Sequence, residues 1–271
     1  EKEKTLFATK KGNVIAEGSK PHYEIIKEKA ERIIKDRKIL NEIDLKKEIR
    51  KILSIPEIIN IPHYRVLPPI SIKGERIGRY AVETEENMWV ILKKRKAERP
   101  YYLEVEEEIN IYIPDISSEE EIKEQPDCEL SSYFIDVRGI GESMPDFKKY
   151  FFHPYRYDYM FDGFYLLFGE SYLGKRIYDV LSVLKLLNSL GCERINLFGN
   201  GQGAIIGIFV CLFSESIKSF RFKKLPDSFY SLIKRPYIKL PSANFPKGIL
   251  KITDIDEILS LVEKKIEVRK L

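Results

Sequence analysis

Histidine, cysteine and long apolar runs are the scarce features of this 271-residue chain, and each scarcity excludes something. The three cysteines, Cys128, Cys192 and Cys211, are odd in number and show no CxxC spacing. They read as free thiols, with Cys211 in a core position, and no zinc site is expected. No apolar stretch approaches the roughly 20 residues that a membrane-spanning helix needs. The opening "EKEKTLFATKKGNV" has no apolar centre of the signal-peptide kind. The sequence thus assigns no location and no membrane partner. The three histidines, His22, His63 and His153, all lie before residue 199.

Charge of one sign is also missing. The 46 basic and 42 acidic residues leave a net charge of only +4. They are interleaved, as in "EIIKEKAERIIKDRK", which is the pattern of solvated helix faces rather than of a nucleic-acid surface. With 44% hydrophobic residues the chain is long enough to bury a sizeable core.

The chain falls into three parts. Up to about residue 60 an extended piece is followed by two amphipathic helices, with stripes through Ile25, Ile26, Ala30, Ile33 and Ile34, and through Ile43, Ile49, Ile52 and Leu53. These stripes cap the sheet or pack on a neighbouring domain. Residues 64–115 are strand-rich, with a hairpin turning at Glu85, Glu86 and Asn87 and an apolar run ending at Pro114. Trp89 in this part reads as core in preference to a sugar platform. From residue 133 strands and helices alternate, which is the signature of a parallel sheet. The strand of "SYFIDVRGIGES" precedes the aromatic loop 150–168, and a long helix from about Ser171 to Leu190 is closed by Gly191.

The segment "RINLFGNGQGAIIGIFV", Arg194 to Val210, reads as strand, tight glycine turn and apolar helix. This is the build of a nucleophile elbow GxSxG, but Gly199-Asn200-Gly201-Gln202-Gly203 puts glycine where the serine belongs. Gly199, Gly201 and Ala204 also fit the dinucleotide fingerprint GxGxxG/A. That reading wants an acid about 20 residues on, at the end of the next strand. Glu215 comes too early for it and Asp227 is only tolerable.

"DVRGIGESMPD", "LGKRIYDVLSVLKLL" and "LFGNGQGAIIGIF" occur in order between Tyr133 and Val210, and here the chain resembles the acetyl-xylan-esterase-like α/β hydrolases. The likeness is to the second, hydrolase-like half of long two-domain members. It implies a mostly parallel α/β-hydrolase sheet over residues 61–271, flanked by helices, with residues 1–60 and the β-rich stretch after them as an N-terminal extension. It further implies a parent serine esterase acting on acetylated carbohydrate, its nucleophile in a first half absent from this chain.

Ester hydrolysis on this fold needs an oxygen nucleophile at the elbow, then an acid and a histidine later in the chain. Gly201 has no side chain, and no histidine follows Gly203. The expectation is therefore a degenerate elbow at Gly199, Gly201, Gln202 and Gly203, no cofactor and no metal. Two weak alternatives remain, Ser143 and His153, which together would form an unorthodox esterase site. Ser171 reads as a helix cap, and Asp227, Asp254 and Asp256 as turn and helix-cap residues. The aromatic loop either stacks sugar rings or docks on a partner, a catalytic N-terminal hydrolase domain or a second copy, and docking is the favoured reading.

Overall fold

The computed structural model describes residues 7–124, 133–145 and 155–271. Their strands form one eight-stranded sheet in the order β1-β2-β3-β5-β4-β6-β7-β8. Strands β1 (Tyr64–Ile72), β2 (Glu75–Glu85) and β3 (Met88–Lys94) are antiparallel to their neighbours, including β3 to β5 (Tyr133–Asp136). From β5 onward the sheet is parallel, through β4 (Glu108–Ile113), β6 (Arg194–Asn200), β7 (Ile217–Lys223) and β8 (Glu267–Lys270). The mostly parallel sheet flanked by helices is as expected, and the β-rich stretch is not separate from it. Its hairpin supplies the antiparallel end of the same sheet, turning through Glu86 and Asn87, the latter at φ 60°.

The interior of the sheet is built from near-continuous apolar strands, as strands buried on both faces require. Ile109, Ile111 and Ile113 of β4, Ile195 and Leu197 of β6, and Tyr133 and Ile135 of β5 lie in one core cluster. Helix α6 (Gln202–Phe213) is apolar all round and buried to Leu212, as a helix hydrophobic on every face must be. Helix α5 (Tyr172–Ser189) fulfils the long-helix expectation: the Ser171 hydroxyl accepts from the Gly174 amide at 3.1 Å and Gly191 ends the helix at φ 104°.

Helices α1 (His22–Lys35) and α2 (Glu42–Ile52) stand where the sequence places them. Leu45, Ile49 and Leu53 enter the main core, and a Cβ on Gly174 would run into the carbonyl of Leu53, so that glycine permits the end of α2 to lie against α5. α1 packs less tightly, against α7 (Phe229–Ile233) and the turn Ile249–Lys251.

Three local expectations are corrected. The stretch before α1 is not an extended piece from Phe7 on; it is turns and a short 3-10 segment, Ile15–Glu17, followed by Gly18 at φ 95°. The aromatic loop is helical over Asp158–Leu167, which forms α4. A tertiary anchor outweighs the modest helix propensity of aromatics there: Asp158 is buried and ion-paired to Arg176 of α5 at 2.7 Å. Trp89 is half-buried, with the Arg65 guanidinium 4.7 Å from its ring centroid, and so is neither deep core nor an open platform.

Candidate functional site

The glycine motif that the sequence singled out forms the turn between β6 and α6. Strand β6 lies between β4 and β7, which fixes where its chain leaves the sheet. The turn residue Gly201 has φ 54° and ψ −115°, a conformation that residues with a Cβ avoid. Its neighbours are glycines for a steric reason: a Cβ at Gly199 would come within 2.6 Å of the Ala204 Cα, and one at Gly203 would run into the Ile113 carbonyl. The strand, tight turn and helix of an elbow are present, with glycine at the turn.

The space a nucleophile would use is filled. A Cβ at Gly201 would overlap the carboxyl group of Asp115, which follows β4. Asp115 Oδ1 accepts the backbone N–H of Gln202 at 3.0 Å. In a serine hydrolase the N–H of the residue after the nucleophile is one of the two oxyanion donors. Here an internal carboxylate occupies that donor.

A polar network holds the carboxylate in place. Gln202 Nε2 donates to the Asp115 carbonyl at 2.8 Å, while its Oε1 accepts from Arg176 Nη1 at 3.0 Å and Asn244 Nδ2 at 2.9 Å. Arg176, fully buried, also donates to the carbonyls of Arg138 and Gly139. On the other side Glu121 of α3 (Ser118–Glu124) accepts the amides of Asp115 (2.7 Å) and Ile116 (3.3 Å), Asn200 Nδ2 at 2.8 Å and the Tyr112 hydroxyl. Burial pushes the carboxyl groups of both Asp115 and Glu121 above their ordinary values, and the hydrogen bonds they accept only partly offset it. Tyr155 donates to Asp115, and its hydroxyl titrates well above the ordinary tyrosine value, chiefly because it is buried.

The structure separates the remaining candidates. Ser143 Oγ donates to the carbonyl of Asp136 at 2.6 Å and belongs to the short turn Gly141–Ser143, so its hydroxyl is committed to the backbone. His153 lies outside the described residues, so its pairing with Ser143 is without a structural account. His22 begins α1 and His63 precedes β1, both exposed. Asp254 caps α8 (Ile255–Glu263) through the Ile255 amide at 2.7 Å and accepts the Phe229 and Tyr230 amides of α7 as well. Asp256 lies exposed in the first turn of α8, and Asp227 is exposed.

The dinucleotide reading fares poorly on this geometry. A pyrophosphate needs free amides at the helix N-terminus, but the Gln202 amide is taken by Asp115 and the Gly201 amide donates to the Lys223 carbonyl at 3.0 Å. A second negative group beside the Asp115 carboxylate would be repelled. Sequence reasoning missed Asp115, Glu121, Arg176 and Asn244. The one local signal was the Pro114-Asp115 pair that closes an apolar strand; the rest are partners from distant segments.

No protein-family model matches the sequence, and no curated protein matches it either. Solved structures do. A Bacteroides fragilis protein provisionally assigned as an acetyl xylan esterase superposes with a TM-score of 0.65 at 13% identity, over 97% of this chain and 75% of that one. Acetyl xylan esterase 1 from a Thermoanaerobacterium species gives 0.49 at 11% identity, over 89% and 90% of the two chains. The acetyl xylan esterase of Paenibacillus sp. R4 gives 0.48 at 15%, over 89% and 82%. With its parallel sheet, its strand-elbow-helix and its likeness to the Bacteroides structure, the chain has the α/β-hydrolase fold.

Proposed function

We propose that this chain is a non-catalytic α/β-hydrolase-fold unit of a carbohydrate esterase of the acetyl xylan type, one that supports or shapes the cleft of a serine-bearing partner. A single observation carries the reading. Asp115 occupies the place of a nucleophile side chain and takes the amide that would stabilise an oxyanion. Replacement of serine by glycine alone would leave an empty slot; the carboxylate closes it, and a water or ester carbonyl meets a buried negative charge in its place. The backbone strain that a serine at Gly201 would carry is absent, because glycine adopts φ 54° without it.

The outer face of α4 supports the docking half of the proposal. Tyr159, Gly163, Phe164, Leu166 and Leu167 form one uncharged stripe, and Leu167 and Phe168 are 80% and 77% exposed. Aromatic and aliphatic side chains massed on one helix face are what interface cores use. A catalytic hydrolase domain is the partner this reading favours, and a second copy of the chain is the alternative; light scattering of the purified chain distinguishes them.

The test of the functional reading is hydrolysis of 4-nitrophenyl acetate by the purified chain across a range of protein concentrations. We expect no rate above buffer. A rate proportional to protein and lost in Ser143→Ala would overturn the proposal and move catalysis to the Ser143 turn.

A further inference from the structure

The underside of α1 is loosely packed. Ala30 is the helix's one buried residue, although interiors ordinarily close around such an element to crystal-like density. Two cavities open to solvent run along it. The first, about 240 Å³, is walled by Ile26, Ala30, Ile33, Phe229, Phe245 and Leu250. The second, about 940 Å³, is bordered by Lys29, Arg32, Arg37, Lys38 and Lys251 over an apolar floor of Leu40 and Ile252. Lys29, Ile33 and Lys251 line both, so an apolar limb adjoins a cationic one. Ile26 and Asp36 mark the two ends, about 15 Å apart at helical rise.

The charges in the second cavity are largely uncommitted. Lys29, Lys38 and Lys251 have no ion-pair partner among the described residues. Among the described residues Arg32 donates to the backbone carbonyl of Glu28, at 3.4 Å, and has no ion pair. Arg37 ion-pairs with Glu257 through Nη2, and its Nη1 is buried without a hydrogen-bond partner. Asp36 and Glu48 also border the cavity, and the basic residues outnumber them.

We propose that this two-limbed cavity binds an amphipathic anion, with an unbranched acyl chain in the apolar limb and a carboxylate or phosphate head among Lys29, Arg32 and Lys251. The apolar walls exclude a purely polar anion such as a free sugar acid, and the cationic border disfavours a neutral lipid. The site lies on the α1 side of the molecule and is independent of the elbow. It is of the size that small-molecule sites have. Each methylene buried in the apolar limb should tighten binding roughly fourfold.

Titration calorimetry of the full 271-residue chain with decanoate, octanoate, decyl phosphate and the uncharged decyl glucoside tests this. We expect saturable binding of decanoate or decyl phosphate, the tighter of the two identifying the head group. Octanoate should bind about fifteenfold more weakly than decanoate, and decyl glucoside at least tenfold more weakly than the anions. Ala30→Phe, which fills the apolar limb, should abolish binding; should it fail to fold, Lys251→Glu on the exposed rim decides, with at least a fivefold loss and an unchanged melting temperature. Absence of saturable binding by either anion, equal binding of decyl glucoside, or full binding by Lys251→Glu overturns the proposal.

Discussion

Two buried carboxylates at the ends of adjacent parallel strands carry the contrast that matters most. Asp136 ends β5 and Asp115 follows β4. Each sits where a glycine at positive φ would place a Cβ, Gly141 at φ 53° beside Asp136 and Gly201 at φ 54° beside Asp115. Their surroundings differ. Asp136 is fully buried against the Lys93 ammonium at 2.8 Å, with the Ser118 hydroxyl and the amides of Ser118 and Glu142 as further donors. Asp115 has two hydrogen-bond donors to its carboxylate, Gln202 N–H and Tyr155, and Lys224 and Arg176 act on it only through their charge. One carboxylate is a completed piece of scaffold. The other is an electrostatically costly occupant of the space beside Gly201, where it takes the Gln202 amide.

Removal of the cation should break the contrast most severely. Lys93→Met leaves Asp136 buried and unpaired and should cost about 3–5 kcal/mol of stability, measured by urea unfolding; a loss under about 1 kcal/mol would mean that the pair is not the scaffold described here. Gly201→Ser is the next largest. Backbone strain of order 1–3 kcal/mol adds to overlap with the Asp115 carboxyl, and the variant should remain inactive toward 4-nitrophenyl acetate. The double variant Asp115→Gly with Gly201→Ser should lose less stability than the two single losses combined, because relief of one contact relieves the other.

Titration sharpens the comparison more gently. The folded-state pKa of Asp115 is raised, so between its unfolded and folded values the native state holds more protons than the unfolded chain. Stability from this group is therefore greatest below the unfolded value, about 4, and declines as pH rises through the folded one. Asp115→Asn keeps an acceptor for the Gln202 amide and lacks the charge. It should melt higher than the parent at pH 7, with the difference shrinking toward pH 4; the same melting difference at both pH values would remove burial of charge as the cause. The smallest effect is that of Ser143→Ala, which deletes one hydrogen bond to the Asp136 carbonyl and should cost about 1 kcal/mol.

The elbow was legible in the sequence because its signal is local. Three apolar strand residues, a triple-glycine turn and an apolar helix fall within Arg194–Val210, and the glycines of the turn answer contacts made within that unit or with the strand beside it. Helix α5 was legible for the same reason, through its cap at Ser171 and its apolar stripe. The plug was not. Asp115 and Gln202 are 87 residues apart, and Arg176 joins Asp158, Gln202 and the Arg138 carbonyl across three further segments. The aromatic segment misled because aromatics favour neither helix nor loop decisively, and the Asp158–Arg176 pair that sets its conformation is invisible in a linear pattern.

The sequence by itself determined the alternation of strands and helices, the missing hydroxyl at residue 201 and the turn that is kept without it, since hydrophobic period and glycine stereochemistry act over a few residues. Only the tertiary structure decided that the slot is occupied, by which group and with what charge. That outcome depends on which side chains the sheet order brings to the ends of β4, β5 and β6, and on the desolvation they meet there, and neither is a property of any one segment.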